Sequence, residues 1–321
     1  MKIPLGKLAI ASLLFGTAVC AYAQDYPKNP INLVIPVAPG DGFDVSSRVT
    51  SEEFSRLLKV PVLVVNRAGA GGVVAATSVV KSGNDGYTIL LATNSSLTFR
   101  RVLEPQTTTY DPAKDLTSLG FAARSPSILV VRSEGPFRNF KDFVEFAKKN
   151  PGQVRVGTAG AGSIGDFCVR IINSLTEAGI TMVPFKGSAP AVAAVRGGHV
   201  EGAVVSLGSV SGSLKSGAVK GIAISNRFPE YPDVPTLVEL GYRQNLFGVW
   251  VAFFAPADVS PEVTRVLVPV IEKVMKDPVI ASRLFPLGIM QEYMPPERVL
   301  AEIREEHRLV QDIAVKTGLV K

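Results

Sequence analysis

The sequence predicts an α/β protein of two domains, one inserted into the other, with a ligand cleft between them. Three observations predict it. Apolar strand-like runs alternate with helical patterns along nearly the whole chain. A glycine-bearing strand-turn-helix device occurs twice, over residues 30–48 and 154–167. Two apolar stretches, 119–132 (broken by Ser125-Pro126) and 246–254, bracket the second group of units and would carry the chain into a second domain and back.

Residues 1–23 are set apart as a secretory leader. Lys2 and Lys7 precede an apolar run over 8–19 that is too short to span a bilayer, and Ala21-Tyr22-Ala23 offers the small residues a signal peptidase reads. Cleavage after Ala23 is favoured over lipidation at Cys20, because Val19 is larger than a lipidation site takes. Removing two lysines and no acid lowers the net charge from +6 to +4. That small, dispersed excess, without basic residues interleaved with aromatics, excludes a nucleic-acid surface. Cys168 is then the only cysteine, which excludes an internal disulfide and a cysteine-built metal site. No mature segment resembles a transmembrane helix.

The first unit begins with Ile31, Leu33, Val34, Ile35 and Val37, a buried strand, followed by the tight turn Pro39-Gly40-Asp41-Gly42. Asp44 is the expected N-cap of a helix whose apolar face is Val45, Val49, Phe54, Leu57 and Leu58. A strand over 60–65, a glycine turn at 66–72, a helix over 73–80 and a strand over 87–92 complete a β-α-β-α-β domain. That last strand ends in Thr93, Asn94, Ser95 and Ser96, small polar residues at a strand end, where ligand groups gather in parallel sheets. A polar connector covers 107–115.

Asn139 caps a helix through Lys149, and a strand over 154–158 leads into the second glycine turn, Gly160 to Asp166, and a helix to about residue 178. A strand over 180–183 is followed by Phe185, Lys186 and Gly187, then by a helix over 191–196. A strand over 202–205 (with Ser206 at its end), a helix over 209–215 and a strand over 219–225 close the middle block. After a proline-rich loop and the return strand come helices over 261–275, 279–284 and 296–316. The last presents Val299, Ile303, Val310 and Ile313 near one face, as a packing helix does.

Helix starts leave backbone N–H groups without partners and carry partial positive charge, so a glycine-lined turn before a helix can hold an oxygen-rich ligand. The two turns are therefore read as the jaws of a clamp. Other chemistries fit less well. Gly160-x-Gly162-x-x-Gly165 matches the dinucleotide fingerprint, but Phe185 and Lys186 stand where its ribose-binding acid belongs. Ser163, between Gly162 and Ile164-Gly165, is placed like the nucleophile of an α/β hydrolase. Such an enzyme needs a histidine, and His199 and His307 read as two exposed residues. The acids Asp41, Asp44 and Asp166 have structural roles in a turn, a cap and a first helical turn. Phe185 is expected to line a pocket, and Trp250 to pack in the core.

Ordered motifs carry a resemblance on top of this reading. They include Tyr26-Pro27-x-x-Pro30-Ile31, Ala38-Pro39-Gly40-x-x-x-Asp44-x-x-x-Arg48 and Asn66-Arg67-x-Gly69-Ala70-Gly71-Gly72. Asp85-Gly86-Tyr87-Thr88, Pro184-x-Lys186-Gly187-x-Ala189-Pro190 and Pro232-Asp233-Val234-Pro235-Thr236 follow in order. Through them the chain resembles the extracytoplasmic binding proteins of tripartite tricarboxylate transporters, the Bug family. The resemblance implies a type II-like periplasmic-binding-protein fold with two crossing strands as hinge. Its domains would be 24–126 plus 247–321, and 127–246. It also implies a periplasmic monomer without cofactor, holding a solute carboxylate on backbone amides of the two turns, from Ala38 through Phe43 to Asp44 and from Gly160 to Asp166. The partner implied is a membrane permease of a large and a small subunit; a sensor role in a two-component system is the alternative.

The chain departs from the family where Asp41 replaces a usual glycine and Asp166-Phe167 a frequent His-Leu pair; Phe185 stands for a frequent tyrosine. Carboxylates beside anion-receiving turns suggest a solute with at most one carboxylate: neutral, zwitterionic or aromatic. N-terminal sequencing of the exported protein should begin at Gln24; a lipid-modified Cys20 would overturn the leader assignment.

Overall fold

Alternation of side chains along the first strand sets the architecture. Ile31, Leu33 and Ile35 belong to one apolar cluster and Val34 to another, so both faces of the sheet must be covered by helices. The structure is a computed structural model that describes residues 26–316 and 318–320. The leader and Cys20 lie outside the described residues.

The first unit runs β1 (Ile31–Ile35), α1 (Gly42–Leu58), β2 (Val62–Asn66), α2 (Val73–Val80) and β3 (Thr88–Thr93), as expected. Next, a π-helical turn, Ser95–Phe99, runs into the short α3 (Arg100–Leu103). The chain then forms β4 (Leu116–Ser125) and β5 (Ser127–Arg132), followed by α4 (Phe140–Lys149) and β6 (Arg155–Thr158). α5 (Ile164–Thr176), β7 (Thr181–Pro184), α6 (Ser188–Arg196), β8 (Gly202–Ser206), α7 (Leu207–Lys215) and β9 (Val219–Ile224) complete the middle block. β10 (Val249–Pro256), α8 (Pro261–Met275), α9 (Pro278–Leu284), β11 (Met290–Gln291) and α10 (Pro296–Lys316) close the chain.

Two sheets result, with orders β11-β4-β10-β3-β1-β2 and β7-β6-β8-β5-β9. β1 is parallel to β2 and β3, and β10 is antiparallel to β3 and β4. In the second sheet β6 is parallel to β7 and β8, while β5 runs antiparallel to β8 and β9. β10 shows why the return stretch is apolar throughout. Val251, Phe253 and Ala255 face one cluster and Trp250, Ala252 and Phe254 the other. Each fully buried aromatic there contributes about 1.5–3 kcal/mol, so neither face tolerates a polar residue.

The passages between the sheets are tighter than the sequence suggests. The stretch over 119–132 is two strands divided at Pro126, one in each sheet. The return strand starts at Val249, paired with Ser125, so that crossover lies just before it rather than inside a continuous strand from 246. Asn94 fastens this junction. Its side-chain amide donates to the Gly248 carbonyl and its carbonyl oxygen accepts from the Trp250 N–H.

Glu306 of α10 anchors Asn94 in turn. Its carboxyl accepts from Asn94 and from the Trp250 indole N–H at 2.9 and 3.0 Å. Thr98 Oγ1 lies 2.7 Å from Glu306 Oε2 and 2.8 Å from the main-chain carbonyl oxygen of Asn94. One hydroxyl hydrogen cannot serve both acceptors, so a protonated Glu306 donating to Thr98 completes the network. Burial dominates, against the hydrogen bonds with Asn94, Thr98 and Trp250, and pushes this carboxyl from 4.5 to about 7. The stabilising contribution is full below pH 4.5 and is lost as pH rises through about 7, a change of about 3 kcal/mol. Glu306→Gln, whose amide N–H can donate to Thr98, should remove that dependence. Denaturant melts should find it close to wild type at pH 5 and more stable at pH 8.

Candidate functional site

The first turn builds its helix start from two acids with different tasks. Asp41 has extended backbone geometry and accepts from the Phe43 N–H at 3.0 Å, so Asp41, rather than the expected Asp44, is the N-cap of α1. Asp44, one turn in, folds back. Its Oδ2 accepts from the Gly40 N–H at 2.8 Å, and its Oδ1 from Arg48 and Asn66 at 2.8 and 2.9 Å. Burial works against the charge, but these three donors hold the Asp44 carboxyl below the usual carboxylate range.

The second turn repeats the plan. Ser163 caps α5, accepting from the Asp166 N–H, while Asp166 Oδ2 accepts from the Gly162 N–H at 2.8 Å and Oδ1 from Arg170 at 2.8 Å. The shared pattern is Gly-x-x-x-Asp-x-x-x-Arg, at Gly40, Asp44, Arg48 and again at Gly162, Asp166, Arg170. Asp166 is 1% exposed and occupied by its own turn and helix. It does not present its charge to the cleft, which removes one of the two reasons for expecting a repelled carboxylate.

Both turns line one cavity of about 760 Å³ between the two sheets. Ala38, Asp41 and Phe43 reach it from the first turn, and Gly160, Ser163, Ile164 and Gly165 from the second. Thr93 and Ser95 line it from the end of β3, Phe185, Lys186 and Gly187 from the end of β7, and Ser206 from the end of β8. The remaining expected residues are structural. Pro39 and Gly40 are exposed, Asn94 is fully buried at the crossover, and Asp44, Gly162 and Asp166 shape the turns. Gly42 is packed against α7: a Cβ there would lie 2.4 Å from the Gly208 carbonyl carbon.

The cavity has donors to spare. The N–H groups of Ala161, Ile164 and Gly165 find no acceptor within the described residues, and all three residues line it. Arg100 was not legible as a site residue. It is 4% exposed, lines the cavity, donates to the Ala161 carbonyl at 2.6 Å and pairs with Glu104 at 2.8 Å, while its Nε has no partner. Its side chain lies over Gly162, where a Cβ would stand 2.2 Å from Arg100 Cδ, so only glycine fits. Ser95 Oγ donates to the Gly162 carbonyl and Ser209 Oγ to Asp41 Oδ2, at 3.1 and 2.7 Å. These contacts join the two lobes around the cavity. The loop Ala68 to Gly72, a glycine turn between β2 and α2, forms a further wall.

The enzyme alternatives lose their parts. Neither histidine hydrogen-bonds Ser163 among the described residues, and its hydroxyl is engaged as a helix cap. His199 is exposed as expected, but His307 is half-buried; burial first, then Arg101, hold its imidazole below the ordinary value. Cys168 is buried, which pushes its thiol up to about 12 and leaves it inert.

Two lobes, two helix starts and donors turned into a shared cavity define a two-domain solute receptor. The sequence profile described as "Tripartite tricarboxylate transporter family receptor" matches residues 46–319. The chain belongs to that family, whose members are receptors and not enzymes. It is 30% identical to BugT of Bordetella pertussis over 97% of both chains. It superposes on an R. palustris protein solved with adipate, with TM-score 0.87 and 25% identity, over 92% of this chain and 99% of that one. MatC of Rhodopseudomonas palustris, solved with malate, gives 0.83 and 27% over 90% and 99%.

Gly42→Ala tests whether the lobes must meet as seen here. The added methyl cannot coexist with the Gly208 backbone, so the variant should fold normally yet stay expanded in small-angle scattering when solute is added. Its solute affinity should fall about 100-fold or more. Wild-type compaction and affinity in the variant would show that this contact is not part of closure.

Proposed function

We propose that the protein is a periplasmic receptor that captures a small organic acid between its lobes and hands it to a membrane permease of a large and a small subunit. The observation that carries this reading is the cluster of acceptor-free amides at Ala161, Ile164 and Gly165, in a cavity that Arg100 also lines and both lobes share. A carboxylate supplies the oxygens these donors lack, and the partial positive charge of the α5 start favours it. The adipate and malate held by relatives of the same fold support a carboxylate as the common feature.

Capture works through closure. The lobes, taken as 24–126 with 247–321 and as 127–246, move about the junctions at Pro126 and Gly248. The solute completes its contacts only when both turns reach it, so binding favours the closed form by the difference in affinity between states. A monomer suffices, because both jaws come from one chain.

Native mass spectrometry of protein purified from its source should show a retained small acid. A thermal-shift panel including malate and adipate should find a stabilising carboxylate, worth about 2.7 kcal/mol when the ligand is at one hundred times Kd. A panel in which only non-acids stabilise the protein would overturn the carboxylate reading.

A further inference from the structure

Asp41 is a carboxylate at a cavity expected to take an acid, and its surroundings say what it is for. It is 4% exposed and lines the cavity, yet no lysine or arginine pairs with it among the described residues. The other acids nearby are committed. Glu104 pairs with Arg100, and Asp44 and Asp166 close their own turns. Arg100 gives its terminal nitrogens to Glu104, Thr107 and the Ala161 carbonyl, and Lys186 is exposed. The charge of Asp41 is thus left without a cation inside the cleft, a costly arrangement for a buried carboxylate.

Its hydrogen bonds keep it ready to accept more. A carboxylate offers about four acceptor positions; the Phe43 N–H and Ser209 hydroxyl fill two and the Ser188 side chain stands close enough to donate to a third, which leaves one for a solute. Ser206 Oγ lies 2.7 Å from Ser209 Oγ, so a second cavity-lining group is polarised by the same acid. Burial pushes the Asp41 carboxyl above the ordinary range despite those donors, a shift that a cation bound beside it would reverse.

We propose that Asp41 determines solute specificity: it accepts a hydrogen bond from an ammonium or other donor at the end of the solute opposite the bound carboxylate, and it excludes a second carboxylate. The cavity is then two-ended. The amides of the second turn take the acid, and Asp41 with Ser206 takes the donor. This rests on the carboxylate-capture reading above and names the solute class within it: a monocarboxylic acid with a distal donor, an amino acid best of all.

Two matched series test it by calorimetric titration near neutral pH. Succinate, γ-aminobutyrate and butyrate share one length, and adipate, ε-aminohexanoate and hexanoate another; within each series only the distal group changes. For the wild type, the amino acid of the fitting length should bind about tenfold or more tightly than the diacid. Asp41→Asn keeps the cap on Phe43 and should shrink that preference about tenfold. Asp41→Gly, which removes the carboxylate and cap together, should do the same and serves if the first variant melts abnormally. A diacid bound as tightly as its amino counterpart, with the order unchanged in both variants, overturns the role of Asp41 and leaves carboxylate capture standing. No binding by any of the six, all of which carry a carboxylate, overturns both readings.

Discussion

The fold of each jaw depends on a carboxylate bent back onto the turn that precedes it. Asp44 takes the amide of Gly40 and Asp166 that of Gly162, each at 2.8 Å, and each acid is steadied by an arginine one helical turn later. A helix start always has amides to satisfy. Here the amide just before each cap is held by the folded-back acid, which fixes the turn's shape, while in the second turn the amides of Ala161, Ile164 and Gly165 stay without an acceptor at the cavity. The same residue type that would repel an anion if it faced the cleft instead makes the cleft receptive. Position within the turn, not composition, decides the sign.

Close approach of the lobes rests on what is missing from side chains. Gly42 meets the backbone of Gly208, and Gly162 passes beneath Arg100. Neither pairing survives a Cβ. Polar bridges then cross the gap from both sides: Arg100 and Ser95 reach the second turn, and Ser209 reaches the first. The cavity is consequently walled by groups already holding one another, a preorganised surface that a solute completes rather than creates.

Much of this was legible from residues, and the failures have physical causes. The helices over 73–80, 261–275 and 296–316 have the bounds their patterns predict; two of them begin at Pro261 and Pro296, and Ser260 caps the first of these. Strand ends drifted by a residue or two because partners in the sheet, not propensity, decide where pairing stops. The π-helical turn at 95–99 was invisible. Asn, Ser, Thr and Phe are poor helix formers, and burial of Leu97, Thr98 and Phe99 imposes the conformation. Arg100 was missed with it, since its place over Gly162 follows from that turn. The exchange of capping roles between Asp41 and Asp44 was equally closed to pattern reading, because both acids flank the same glycine turn. The repeated Gly-x-x-x-Asp-x-x-x-Arg spacing was readable and would have placed Asp166 outside the cleft.

The junction between the lobes has one further property. The chain contains a single tryptophan. Trp250 is 1% exposed, two residues from Gly248, with its indole N–H on the carboxyl of Glu306. Every photon of indole emission from this protein therefore has one origin, beside the backbone that passes between the lobes. The molecule carries its own optical gauge, needing no dye, of how that passage is arranged.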